Sequence, residues 1–290
     1  MTIDMQKKLA GKRAVITGGS RGIGEAIAKA FVSEGAEVVL IARNKEELAA
    51  VQARLAPLGR VGTFVLDVSD QVAVERCAQT LAEEGKPVDI LVNAAGMYGP
   101  IGAVNEVDPK LWLEALKINL YGTFLMTHYF VPLLAQSSRG SIINFVGGGE
   151  GAKAHFSSYV TAKGGIARFT ETVAVELKDK HIAVNAVAPG AVNTKFLDDL
   201  LEAGPKKAGK ETYQAALKQK AEGGVSPQKV AQLAVWLASD ASGTLTGKIL
   251  SAVWDDYEKF PEHMQDISGS DIYTMRRIRP KDRGFGWDTK

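Results

Sequence analysis

Strand-length apolar runs alternate with longer amphipathic stretches from residue 13 onward, and this alternation restricts the fold more than any other feature. RAVITGG (13–19) precedes EAIAKAFVSEG (25–35); EVVLIAR (37–43) precedes a helical pattern from Glu46 to Leu58; GTFVLDV (62–68) follows. The same rhythm continues through DILVNAAG (89–96), SIINFVGG (141–148) and IAVNAVAPG (182–190), with a seventh run near Thr246–Val253. Strands separated by helices read as repeated βαβ units with a parallel sheet. The runs are continuously apolar, as strands are when helices cover both faces. The chain has 290 residues, and neither a low-complexity linker nor a long internal repeat breaks the alternation. One doubly wound α/β domain over residues 1–254 is the economical reading, with residues 255–290 as a C-terminal extension.

Bulk properties narrow the function classes. A net charge of +2 with 23% charged residues gives no general attraction to nucleic acid. The single cysteine, Cys77, precludes a disulfide framework within the chain and reads as packing in a helical pattern. His128, His155, His181 and His263 are far apart and show no metal-ligand spacing. MTIDMQKKLAGKR lacks the apolar core of a signal peptide, and there is no run of about 18 apolar residues. The expectation is a cytoplasmic protein with no metal, membrane or nucleic-acid partner.

The first strand passes into Gly18-Gly19-Ser20-Arg21-Gly22-Ile23-Gly24, and a helix starts at once with Glu25. Glycines let the backbone turn tightly and approach a pyrophosphate, whose charge is met by exposed N–H groups at the helix start. Glycine turns also merely close strand-to-helix joints, but placement between the first strand and first helix favours dinucleotide binding. At the end of the second strand, Ile41-Ala42-Arg43-Asn44 carries no acid to accept the ribose 2′-hydroxyl. Arg43 and Arg21 offer a clamp for a 2′-phosphate. NADP(H) is therefore expected over NAD(H).

The glycine turn, Asn93-Ala94-Ala95-Gly96, Asn119 in KINLYG, Tyr159-Val-Thr-Ala-Lys163 and Pro189-Gly190 together resemble the classical short-chain dehydrogenase/reductase family, over roughly residues 9–253. The resemblance implies a single-domain Rossmann-type sheet of seven parallel strands, assembled as a tetramer or dimer. It makes Tyr159 the proton donor or acceptor at the substrate oxygen, Lys163 its activator, and Asn119 the residue that positions a relay water. Tyr159 and Lys163 lie one helical turn apart on a shared face. A free phenol titrates near about 10, so a nearby ammonium is expected to bring it toward neutral pH. The resemblance also implies cofactor contacts from Gly18, Ser20, Arg21, Gly22, Ile23, Gly24, Arg43, Asp67, Val68, Asn93, Ala94, Gly96, Tyr159, Lys163, Pro189, Gly190 and Thr194.

One part of the pattern is missing. The family's serine, which donates to the substrate carbonyl, aligns with Gly147 in IINFVGGG, and Gly148 and Gly149 follow. Ser157 and Ser158 adjoin Tyr159 and are expected to point elsewhere. Loss of one such donor costs about 2.7–4 kcal/mol of barrier stabilisation, which slows a reaction without abolishing it. A substitute donor comes from Tyr98, from His155 or from the glycine N–H groups; or Gly147 and Gly148 make room for a bulky substrate; or the chain binds the dinucleotide without efficient turnover. The retained Tyr159, Lys163 and Asn119 favour turnover.

Residues 195–224 look like helical pieces joined at Gly204-Pro205 and Gly209, inserted where a doubly wound sheet places its crevice. This is a candidate substrate lid. Its lysines (Lys195, Lys206, Lys207, Lys210, Lys218, Lys220) and the tail's Arg276, Arg277, Arg279, Lys281 and Arg283 suit an anionic substrate if they converge on the crevice, but lysines on such helices are usually just solvated. Trp254, Tyr257, Phe260, Tyr273, Phe285 and Trp287 in the tail suit a subunit interface or a cover over the substrate equally. The expected activity is hydride transfer between nicotinamide and a carbonyl/secondary-alcohol pair. The alternatives are a dinucleotide sensor or scaffold of the same fold, and an epimerase that uses its nicotinamide transiently.

Overall fold

The computed structural model describes residues 7–147 and 151–287. Seven parallel strands form one sheet in the order β3-β2-β1-β4-β5-β6-β7. They are β1 (Arg13–Thr17), β2 (Glu37–Ala42), β3 (Val61–Val65), β4 (Ile90–Asn93), β5 (Gly140–Phe145), β6 (Ile182–Ala188) and β7 (Ile249–Ser251). Alternate strand residues supply the two faces, as the strand period of two requires. Ala14, Ile16, Val38 and Leu40 pack under helices α1 (Gly22–Ser33), α2 (Lys45–Leu55) and α9 (Pro227–Ala238). Val15, Val39, Ile41 and Leu91 face α3 (Gln71–Glu83), α5 (Gly122–Leu134) and α6 (Ser157–Glu176). Cys77 is one of the buried packing residues on this second face, and burial pushes its thiol up to about 12.

The sheet reverses direction of growth between β1 and β4, and a crevice forms at such a reversal beyond the strand C-termini. Two further helices border it, α7 (Lys195–Ala208) and α8 (Lys210–Glu222), while α4 (Pro109–Leu116) packs on α6. Non-helical geometry at Gly204, with φ of 76°, splits α7 into two pieces, and Gly209 separates it from α8. The break falls where Gly204-Pro205 in the sequence announces it.

The described residues of the extension do not line the crevice. They fold back on their own chain, and no residue beyond Lys220 lines the large cavity there. Trp236 of α9 meets Tyr257 and Phe260, and Phe260 meets Tyr273. Along β7 the Ile249 N–H donates to the Tyr273 carbonyl at 2.8 Å, while the buried Lys248 ammonium donates to the carbonyls of Ser270 and Ile272. β7 spans only the three residues that pair with β6, shorter than the apolar run from Thr246 to Val253 suggests, and the tail supplies a backbone partner at its outer edge. Trp254, Phe285 and Trp287 remain largely exposed.

Candidate active site

The glycine turn is shaped by close contact between backbone segments. A Cβ on Gly24 would stand 2.2 Å from the Gly18 carbonyl oxygen, and one on Gly18, whose φ is 66°, would touch Ala94 and Ala95 at 3.0 Å. Only glycine allows the first turn of α1 to lie against the ends of β1 and β4 in this way. Thr17 ties the two ends together, accepting from the Ala95 N–H at 3.1 Å.

Above this turn lies a cavity of about 930 Å³, near the upper end of ligand cavities at about 300–1,000 Å³. Its lining brings together Gly18, Ser20, Arg21, Gly22, Ile23, Gly24, Arg43, Asp67, Val68, Ala94, Gly96 and Thr194, twelve of the residues expected at the cofactor. The α1 N-terminus, the small residues along the floor and the arginines at one end fit a dinucleotide, with its pyrophosphate on the glycine turn. Asn93 is not among them. It is a sheet-interior brace, donating to Asn144 Oδ1 at 2.9 Å, and Asn144 donates in turn to Thr170. Pro189 and Gly190 also lie off the cavity wall, Gly190 with its backbone wedged against Val225 and Val253.

Glu47, missed in the sequence, and Asp67, expected at the cofactor, stand among the arginines. Glu47 accepts from Ser20 Oγ at 2.8 Å and lies 3.5 Å from Arg21, while Asp67 lies 3.5 Å from Arg43. Burial acts to raise the Asp67 carboxyl, but hydrogen bonds from Ser69 and the Arg43 charge hold it below its ordinary value. Glu47 sits in the first turn of α2, where its N–H is capped by Asn44; acids favour such positions, so the sequence signal resembled that of any helix start.

Beside the cavity, α6 carries Tyr159 and Lys163. The Lys163 ammonium lies 5.7 Å from the Tyr159 ring centroid and donates to the Phe145 carbonyl at the end of β5 at 2.9 Å. Burial drives Lys163 down to about 8. Tyr159 moves the other way: burial first, and then Tyr98, raise its phenol well above the ordinary value. The expectation that Lys163 draws the phenol toward neutrality is not met in this structure, because the ammonium faces the ring and the Phe145 carbonyl and is itself desolvated.

Asn119 is fully buried in a π-helical turn, Lys117–Tyr121, between α4 and α5. Its amide grips Met97 from both sides, accepting from the N–H at 3.2 Å and donating to the carbonyl at 2.8 Å. A Cβ on Gly96 would approach Asn119 Oδ1 to 2.6 Å and Lys163 Nζ to 3.7 Å, so Gly96, Asn119 and Lys163 meet at one point. π-helical turns of this kind recur at functional sites.

Gly147 faces the reacting end of Tyr159: a Cβ there would lie 3.6 Å from the phenol oxygen. Gly148 lies outside the described residues. Neither neighbouring serine fills the gap, since Ser158 donates to the Tyr98 carbonyl and Ser157 accepts from Trp112. Tyr98 packs edge-on against Tyr159 at 4.8 Å and against Phe196 of α7 at 4.7 Å. His155, with φ of 71°, leans on the joint at Gly209, and its buried Nδ1 has no partner among the described residues.

Among the described residues no helix is long and apolar enough to cross a membrane. The family model described as enoyl-(acyl carrier protein) reductase matches residues 18–252. The chain is 35% identical over 248 residues to the uncharacterized oxidoreductase YxbG of Bacillus subtilis, covering 84% of this chain and 90% of that one. It is 33% identical over 249 residues to the 3-oxoacyl-[acyl-carrier-protein] reductase FabG of Thermotoga maritima, covering 84% and 96%. A crystal structure of carveol dehydrogenase from Mycobacterium avium, in complex with NAD, superposes with a TM-score of 0.76 at 26% identity, covering 84% of this chain and 97% of that one. With its glycine turn, its paired Tyr159 and Lys163 and these relatives, the chain belongs to the short-chain dehydrogenase/reductase family of nicotinamide-dependent oxidoreductases.

Proposed function

We propose that the chain is an NADP(H)-preferring oxidoreductase of a carbonyl/secondary-alcohol pair, with Tyr159 exchanging the proton at the substrate oxygen. The observation that carries this reading is the meeting of Tyr159, Lys163, Asn119 and Gly96 beside the cavity. The nicotinamide, when bound, supplies or accepts the hydride. Burial keeps the Tyr159 phenol protonated at neutral pH, so it is ready to donate its proton to a carbonyl oxygen as that oxygen gains charge. Lys163, anchored on the Phe145 carbonyl, holds positive charge behind the ring and offers a group that titrates near 8 to resupply the proton. Asn119 acts as a positioning residue by fixing the Met97 backbone and the adjoining Gly96. The pattern at Gly147 leaves the carbonyl oxygen without a serine donor; the backbone N–H groups of the glycine loop are the substitute the chemistry favours.

Arg43 supports the NADP(H) preference. Its side chain lines the cavity, is 62% exposed, and is held only loosely by Asp67 at 3.5 Å, which leaves it free to meet a 2′-phosphate. Arg21 lines the same cavity at the same 3.5 Å from its acid, Glu47, and is the second arm of the clamp. Ketone reduction is the direction named for the T. maritima relative. A homo-oligomer and a small-molecule substrate complete the reading.

The test is a fluorescence titration with NADPH and NADH of the wild type, Arg43→Ala and Tyr159→Phe, followed by a carbonyl and alcohol screen. NADPH is expected to bind more tightly than NADH, and Arg43→Ala to weaken NADPH about tenfold or more with little change for NADH, from loss of one charge-assisted contact. Tyr159→Phe is expected to keep cofactor binding and lose about 10²–10⁴-fold in turnover. Unchanged turnover in Tyr159→Phe would overturn the proton-transfer role, and no binding of either dinucleotide would overturn the oxidoreductase reading.

A further inference from the structure

Glu47 stands on the wall of the dinucleotide cavity, which Arg21 and Arg43 also line. The order Asn44-Lys45-Glu46-Glu47 is that of a capping box, in which the acid of the first turn returns to the N-cap N–H. Half of the box forms, with Asn44 accepting from the Glu47 N–H at 2.8 Å. The carboxylate turns across the crevice instead. Its Oε2 accepts from Ser20 Oγ at 2.8 Å, and its Oε1 lies 3.5 Å from Arg21 Nη1. One acid of α2 is thereby fastened to two successive residues of the glycine turn.

The acid beside the other arginine is held differently. Asp67 Oδ1 accepts from the Ser69 N–H at 2.9 Å and from Ser69 Oγ at 2.7 Å, so that carboxylate is fixed within its own loop while Oδ2 faces Arg43 at 3.5 Å. Glu47 is the acid tied to the turn itself. The end of β2, where Ile41-Ala42-Arg43-Asn44 carries no acid, thus acquires one from the first turn of α2. A carboxylate at this end of a dinucleotide site opposes a 2′-phosphate and accommodates a 2′-hydroxyl. An arginine already paired with a carboxylate has to give up part of that contact to take a phosphate. The Arg21 and Glu47 side chains are 60% and 38% exposed, so the pair is weak enough to exchange partners.

We propose that Glu47 is a positioning residue that limits how strongly the site prefers NADP(H) over NAD(H): it holds Arg21 at the glycine turn, and a 2′-phosphate has to take Arg21 from it. This rests on the reading of Arg21 and Arg43 as the phosphate clamp. A neutral side chain at this position releases Arg21 and sharpens the preference.

The test uses adenosine 2′,5′-bisphosphate and 5′-AMP, which differ only in the 2′-phosphate, as probes. Their binding to the full chain is measured by calorimetry for the wild type, Glu47→Gln, Arg21→Met and the double variant. Glutamine keeps the side-chain length and an acceptor for Ser20 Oγ while removing the charge. The wild type is expected to bind the bisphosphate more tightly than 5′-AMP. Glu47→Gln is expected to raise that ratio about threefold or more by tightening the bisphosphate alone, the scale of a partly exposed ion pair. In the Arg21→Met background the same substitution is expected to change the ratio by less than about twofold, because the partner it releases is gone. A ratio that is unchanged or lower in Glu47→Gln, or an equal rise with and without Arg21, would overturn the role of Glu47; a wild-type preference for the bisphosphate in either case leaves the NADP(H) reading standing. No wild-type preference, with an Arg21-dependent rise in Glu47→Gln, would support the role of Glu47 and overturn the NADP(H) preference. Binding of neither probe by any variant would overturn both.

Discussion

Gly147 faces the Tyr159 hydroxyl so directly that a methyl group on its α carbon would stand 3.6 Å from that oxygen. The same Cβ would meet the Pro189 ring at 3.3 and 3.4 Å, a tight but yielding contact. Gly147→Ser is therefore expected to fold and to place a hydroxyl beside the phenol. For small ketones kcat/KM should rise by about tenfold or more, a fraction of the 10²–10³ that one oxyanion donor is worth elsewhere. Gly147→Ala, which adds bulk without a donor, should not raise it. Steady-state kinetics of the two variants decides between them, and equal losses in both would show that the space, and not a missing donor, is what Gly147 provides.

Lys163 gives a pH signature in stability. Its pKa falls from 10.5 in the unfolded chain to about 8 in the fold because burial penalises the ammonium. Between these values the unfolded state binds a proton that the folded state does not, so stability rises as pH increases from 8 to 10.5. Below about 8 the full penalty is present, on the order of 3 kcal/mol at about 1.36 kcal/mol per unit. Lys163→Met lacks this rise. Urea melts of both proteins from pH 6 to 10.5 should show the variant relatively more stable at low pH, with the advantage shrinking above 8; a constant difference would refute the shift.

Gly24→Ala sets helix propensity against packing. Alanine favours a helix interior by about 1 kcal/mol, but its Cβ would lie 2.2 Å from the Gly18 carbonyl oxygen, a backbone atom that cannot swing aside. The clash should prevail, with a net loss of about 1–3 kcal/mol. Because relief of the clash opens the turn, NADPH affinity should fall at least tenfold as well. Thermal melts and a dinucleotide titration measure the two effects.

The tail is expected to support stability without touching the cofactor. Phe260 is 5% exposed and packs on Trp236 and Tyr273. Phe260→Ala should cost about 3–5 kcal/mol in a chemical melt, while NADPH affinity measured well below the transition stays at the wild-type value. A large loss of affinity would place the tail functionally at the cavity.

Several features were legible in the amino-acid order alone. The βα rhythm gives the parallel sheet, because continuous apolar strands need cover on both faces; Gly18 to Gly24 gives the turn, because only glycine lets backbone come so close; and Tyr159 with Lys163 shares a face by helical periodicity. Gly204 and Gly209 likewise announce the breaks in the lid. Tertiary structure decided what depends on partners distant in the chain. Asn93, written into a cofactor motif, is drawn into a buried ladder with Asn144 and Thr170. Glu47 reaches Ser20 and Arg21 only because α2 ends up beside the glycine turn. The tail's aromatics turn to α9 and the β7 edge, where they find apolar surface and open backbone groups.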